Sequence, residues 1–96
     1  MSMEVYRGEL ASMVSQGALL IDVREDLAPD DEEALPGHRR LPLSRLAELA
    51  GSLGDRPTIF YCRTGLLSFQ AAEIAAQWTE QPVYYLAGGL LSNRDF

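Results

Sequence analysis

The sequence predicts an α/β domain built on a largely parallel sheet, and three observations carry that prediction. Short apolar runs alternate along the chain with stretches of helical periodicity. Two of those runs, residues 18–23 (ALLIDV) and 58–61 (TIFY), are nearly continuous, as strands covered on both faces must be. Gly and Pro punctuate the junctions between them. At 96 residues and 47% hydrophobic content the chain has the size of one domain with one modest core, so residues 1–96 are read as a single unit.

Residues 7–16 form the first expected helix, stopped by Gly17. The strand at 18–23 follows, and after it an acidic stretch in which Glu25, Asp26, Asp30, Asp31, Glu32 and Glu33 crowd together. That stretch lacks the alternating ligands, central Gly and terminal Glu of a calcium loop, and is read as a solvated loop or frayed helix start, with a docking surface for a basic partner as the alternative. Leu41-Pro42-Leu43 is expected to be extended and to lead into Ser44, a good helix N-cap. Leu46, Leu49, Ala50 and Leu53 recur at i, i+3, i+4 and i+7, which predicts a helix with one apolar stripe, ended by Gly54. Pro57 opens the strand at 58–61, and Cys62 falls at its carboxyl end. In the helix after it, Ser68 is the expected N-cap and Phe69, Ala72, Ala75 and Ala76 the expected buried face, with Trp78 in the core. Residues 83–86 (VYYL) are a further strand, and Gly88-Gly89 turn into a short last segment.

Composition narrows the function. Fourteen acidic residues against eight basic ones give a formal net charge of −6, which argues against nucleic acid or an anionic membrane as partner. All the basic residues are Arg, so neither a Schiff-base lysine nor a P-loop lysine exists. One Cys and one His make no metal site, and no metal or cofactor is expected. No secretory signal precedes the first helix and a lone Cys needs no oxidising compartment, so the expected location is cytoplasmic.

The stretch 61–68, YCRTGLLS, carries the chemistry. In open α/β sheets ligands bind beyond the carboxyl ends of the strands, where helix N-termini point. A thiol placed there meets unpaired backbone N–H groups and the positive end of a helix dipole, both of which favour the thiolate. Arg63 is positioned either to add positive charge or to point away, and Gly65 permits a backbone turn that aims successive N–H groups inward. From spacing alone Cys62 is either such a nucleophile or a small core residue closing a buried strand.

Four motifs in order resolve that choice. Leu20-Ile21-Asp22-Val23-Arg24-Glu25, Gly37-His38, Tyr61-Cys62-Arg63-Thr64-Gly65 and Leu86-Ala87-Gly88-Gly89 resemble, over nearly the whole chain, the signatures of rhodanese-like domains. The resemblance implies a three-layer α/β fold around a mostly parallel sheet, and sulfane-sulfur transfer through a cysteine persulfide. It assigns Cys62 as nucleophile, with Arg63, Thr64, Gly65, Leu66, Leu67 and Ser68 cradling the substrate. Asp22 and Arg24 are expected to tie down neighbouring loops through buried hydrogen bonds, with Arg24 alternatively facing substrate. The expected partners are a small anionic sulfur donor such as thiosulfate, or a small or protein persulfide, and a thiol or cyanide acceptor.

Two departures from the family pattern bear on activity. Leu67 stands where many relatives carry a second basic residue, which removes a charge-assisted hydrogen bond worth about 1.5–3 kcal/mol and predicts weak thiosulfate binding. Leu66 and Leu67 are read either as an apolar lip that docks a partner or as packing against the last segment. Ser68 also occupies the place where phosphatases of this fold need Arg, so phosphatase chemistry is not expected. His38 is expected to be structural. The rival to an enzyme is a rhodanese-like binding or regulatory module without useful turnover.

Overall fold

The computed structural model describes residues 2–25, 35–49 and 56–91. The acidic stretch from Asp26 onward and the second half of the helix expected around Leu46 (residues 50–54) lie outside them. Five strands run in chain order: β1 (Ser2–Val5), β2 (Leu19–Asp22), β3 (Arg39–Arg40), β4 (Thr58–Tyr61) and β5 (Val83–Leu86). They form one sheet in the order β1-β5-β4-β2-β3, and every pairing is parallel. The residues that follow β2, β4 and β5 therefore all leave the same rim of the sheet.

The central strands are buried along their whole length, as their unbroken apolar runs require. Strand alternation then sorts their side chains into two cores. Leu19, Ile21, Phe60 and Val83 pack with Ala71, Ala72 and Ala75 of helix α2 (Leu66–Ala75) and with Leu46 of a 3-10 segment, Leu43–Leu49. Leu20, Ile59, Tyr61 and Leu86 pack with Leu10 of helix α1 (Leu10–Ser15), which a 3-10 turn at Arg7–Glu9 precedes. The result is the three-layer α/β architecture, with helices on both faces of the sheet. No helix among the described residues is long and apolar enough to cross a membrane.

Several local expectations are corrected. Strand β1 has no counterpart in the sequence reading, because on that short edge strand Met3 and Glu4 are exposed while Val5 is buried. Arg39–Arg40 pairs with β2, whereas the extended piece was expected at Leu41-Pro42-Leu43. Ser44 caps no helix; its amide and hydroxyl donate to the Glu25 carboxylate at 2.8 and 3.1 Å. In α2 the buried stripe is Ser68, Ala71, Ala72 and Ala75, leaving Phe69 42% exposed and Ala76 half-buried. Trp78 is partly buried against the α2-side core.

Candidate active site

Cys62 directly follows β4 on the α2 side of the sheet and is 1% exposed. The chain then turns through Arg63 and Thr64 to Gly65, whose φ of 97° is the left-handed conformation that glycine adopts without penalty. That turn starts α2 at Leu66, so Gly65 takes the N-cap position expected of Ser68. The consequence is local and chemical. Two amides face the sulfur: the Gly65 N–H at 3.1 Å and the Ser68 N–H at 3.3 Å, both measured to Cys62 Sγ. The thiol in turn donates to Ser68 Oγ at 3.5 Å, and that hydroxyl donates to the Gly65 carbonyl at 3.2 Å. A hydroxyl is a rotor, so on loss of the thiol proton Ser68 is able to turn its O–H toward the sulfur.

The other loop residues divide. Arg63 and Thr64 are exposed, and the Thr64 side chain accepts the Leu66 amide at 3.3 Å. Leu66 is 63% exposed, whereas Leu67 is half-buried against the core beneath α2. The two leucines therefore play different parts: one lies on the surface, the other packs.

The sequence motif Gly88-Gly89 finds its reason here. Leu90 N–H donates to the Cys62 carbonyl at 2.9 Å and Leu91 N–H to the Arg63 carbonyl at 3.0 Å, docking the 3-10 turn Gly89–Leu91 onto the backbone of the cysteine loop. A β-carbon on Gly89 would lie 2.5 Å from the Arg63 carbonyl and 2.6 Å from Cys62 O, closer than packed atoms allow. Gly89, Leu90 and Leu91 were absent from the expected site. The glycine pair marked their place, but only the tertiary approach shows what they hold.

On the opposite face, Asp22 and Arg24 form a buried ion pair, with Arg24 Nη2 2.7 Å from Asp22 Oδ2 and the Arg24 amide 3.0 Å from Oδ1. Arg24 is 5% exposed and its guanidinium carbon lies 5.9 Å from the Tyr61 ring centroid, so it is directed into the fold. Tyr61 accepts the Leu35 amide at 3.1 Å. Burial, reinforced by the Asp22 carboxylate and opposed by the Leu35 bond, pushes the Tyr61 hydroxyl up to about 12. His38 stands edge-on to the same ring, with Nδ1 2.8 Å from the Leu35 carbonyl oxygen, in a structural setting. A cavity of about 450 Å³ lies on this α1 side, lined by Leu10, Val14, Leu20 and Pro36 among others and not by Cys62.

Comparison with known proteins places this architecture. A family model for the rhodanese-like domain matches residues 7–92, and the chain belongs to that family. Among solved structures, a rhodanese homologue from the extreme thermophile Thermus thermophilus is 30% identical, with a TM-score of 0.70, and the match covers 94% of this chain and 99% of that one. The reduced Bacillus anthracis CoADR-RHD is 26% identical with a TM-score of 0.76, over 92% of this chain and 16% of that chain. A human single-domain sulfurtransferase shares the fold at 23% identity, with a TM-score of 0.72 over 93% and 92% of the two chains. The comparison with curated proteins returned no match.

Proposed function

We propose that this protein is a sulfurtransferase that carries sulfane sulfur as a persulfide on Cys62. The observation that supports this reading is the pair of amides at 3.1 and 3.3 Å from Cys62 Sγ, delivered by a left-handed Gly65 at the start of a ten-residue helix. Main-chain N–H donors fixed around a sulfur stabilise its anion and need not reorganise during the reaction. The helix dipole adds to the same end.

The Cys62 thiolate attacks the outer sulfur of thiosulfate or of a persulfide. A new S–S bond forms to Cys62, the donor's S–S bond breaks, and sulfite or a thiolate leaves. A thiol or cyanide then attacks the outer sulfur and releases the Cys62 thiolate. Gly65 and Ser68 meet the donor sulfur through their amides, Arg63 and Thr64 lie exposed on its approach, and Leu66 and Leu67 take no part in the chemistry, one on the surface and the other packed beneath α2. Cys62 is the chain's only cysteine, so the acceptor comes from outside. With Leu67 packed inward and uncharged, a persulfide suits the site better than thiosulfate.

A second reading, a binding module without turnover, draws support from the 1% exposure of Cys62. Intact-mass spectrometry after exposure to thiosulfate or inorganic polysulfide separates the two. An adduct of one sulfur atom in the wild type, absent in Cys62→Ser, is the expected result. No adduct with either donor would leave the module as the function.

A further inference from the structure

The chemistry of Cys62 makes no use of the apolar surface beside it. Leu66, Phe69 and Leu91 are 63%, 42% and 54% exposed. The backbone groups them: Leu66 and Phe69 are i, i+3 neighbours in α2, and the Leu91 amide sits 3.0 Å from the Arg63 carbonyl, against the loop that precedes Leu66. Phe69 then meets the half-buried Tyr85 ring edge-on, with centroids 5.2 Å apart, which extends the strip onto β5.

Carboxylates border the strip. Glu73 follows Phe69 by one helical turn, and Glu4 is paired in register with Tyr85 across β1 and β5. Both stand near the Tyr85 hydroxyl, whose pKa is raised by burial first and then by these charges. Thiosulfate, a small dianion, gains nothing from three aliphatic and aromatic side chains. Arg63 is exposed at the cysteine-loop end of the strip, so the acidic border lies at its Tyr85 end, where an apolar contact beside Glu4 and Glu73 matches a macromolecular surface that carries basic side chains.

We propose that the sulfur donor is a protein persulfide whose cysteine lies in an apolar surface flanked by Lys or Arg. It docks over Leu66, Phe69 and Leu91 with its basic side chains toward Glu4 and Glu73. This rests on the reading of Cys62 as a persulfide carrier. In the transfer, Cys62 thiolate bonds to the terminal sulfur of the partner's Cys–S–SH, the partner's S–S bond breaks, and its cysteine departs as thiolate. The proton travels with the transferred sulfur, one S–S bond replaces another, and no oxidant is required.

Two synthetic cysteine-persulfide peptides of equal length test this, one with Leu and Arg around the cysteine and one with Leu and Glu, beside glutathione persulfide as the small donor. Loading of Cys62 is followed by intact mass. The Arg peptide is expected to load about tenfold faster than the Glu peptide at low ionic strength, with the gap closing at high salt. Phe69→Ser and the surface variant Glu73→Arg are each expected to slow the Arg peptide about tenfold while leaving loading from glutathione persulfide unchanged. Equal rates for the two peptides, or variants that slow every donor alike, overturn the docking proposal but leave Cys62 a carrier. A wild-type dimer that Phe69→Ser dissolves also overturns it, because the strip then belongs to a second copy. Failure of every donor to load Cys62 removes the carrier reading itself.

Discussion

Tyr61 and Cys62 are consecutive and both buried, yet they face opposite sides of one sheet and are held by different kinds of partner. Around Tyr61 the partners are mostly side chains: the Asp22–Arg24 ion pair, the His38 ring and one amide from Leu35. Around Cys62 they are the amides of Gly65 and Ser68 and a single hydroxyl, while the carbonyls of residues 62 and 63 are tied to amides of Leu90 and Leu91. The difference teaches where each region is vulnerable. The Tyr61 side fails when a named side chain is removed, whereas the Cys62 side fails when a backbone is pushed out of place.

The largest effect is expected on the Tyr61 side. Asp22→Ala strips the carboxylate from Arg24, a residue that is 5% exposed, and breaking a buried pair in this way costs about 3–5 kcal/mol. Urea denaturation reads it directly; a loss below about 1 kcal/mol would mean that water or another group replaces the pair.

Gly89→Ala strikes the other side through its backbone. The added methyl meets Arg63 and Cys62 carbonyl atoms at a φ of 61°, so a stability loss of about 1–3 kcal/mol is expected. Sulfur loading of Cys62 should fall further than in Asp22→Ala protein compared at equal folded fraction. If both variants lose loading only in step with unfolding, the contrast drawn between the two regions is wrong.

Leu67→Arg introduces a cation beside the proposed anion site. Thiosulfate KM is expected to drop about tenfold or more, with loading from a persulfide donor changing less. Steady-state kinetics with both donors provide the check.

The last prediction concerns pH and is the gentlest. The folded-state pKa of Tyr61 is raised from 10.0 to about 12, so its neutral form is favoured in the fold. The stability it contributes is fully present below about pH 10 and is lost as pH climbs through about 12. Denaturation midpoints measured across that window should decline in the wild type, and Tyr61→Phe should remove this part of the slope.

The fold was legible where periodicity speaks. The runs 18–23, 58–61 and 83–86 contain β2, β4 and β5. Their covered faces demand apolar residues, which these runs supply. Strand β1 left no such trace because an edge strand buries little. Phe69 misled because its size signals burial, while the stripe that α2 buries was already filled by Ser68 and three alanines, whose smallness brings the helix close to the sheet. Cys62, Gly65 and Ser68 were visible in the motif. The support from Gly89 to Leu91 was not, since their approach to residues 62 and 63 is a matter of tertiary distance and not of local pattern.

The docking of the Gly89–Leu91 turn onto the cysteine loop has a consequence for biosynthesis. Residue 62 leaves the ribosome well before residue 89, so for part of translation the thiol exists without the segment that fastens its main chain. A nascent chain arrested near residue 80 would carry Cys62 without the bonds from Leu90 and Leu91, and the loop would be fastened only once the final strand and turn had formed.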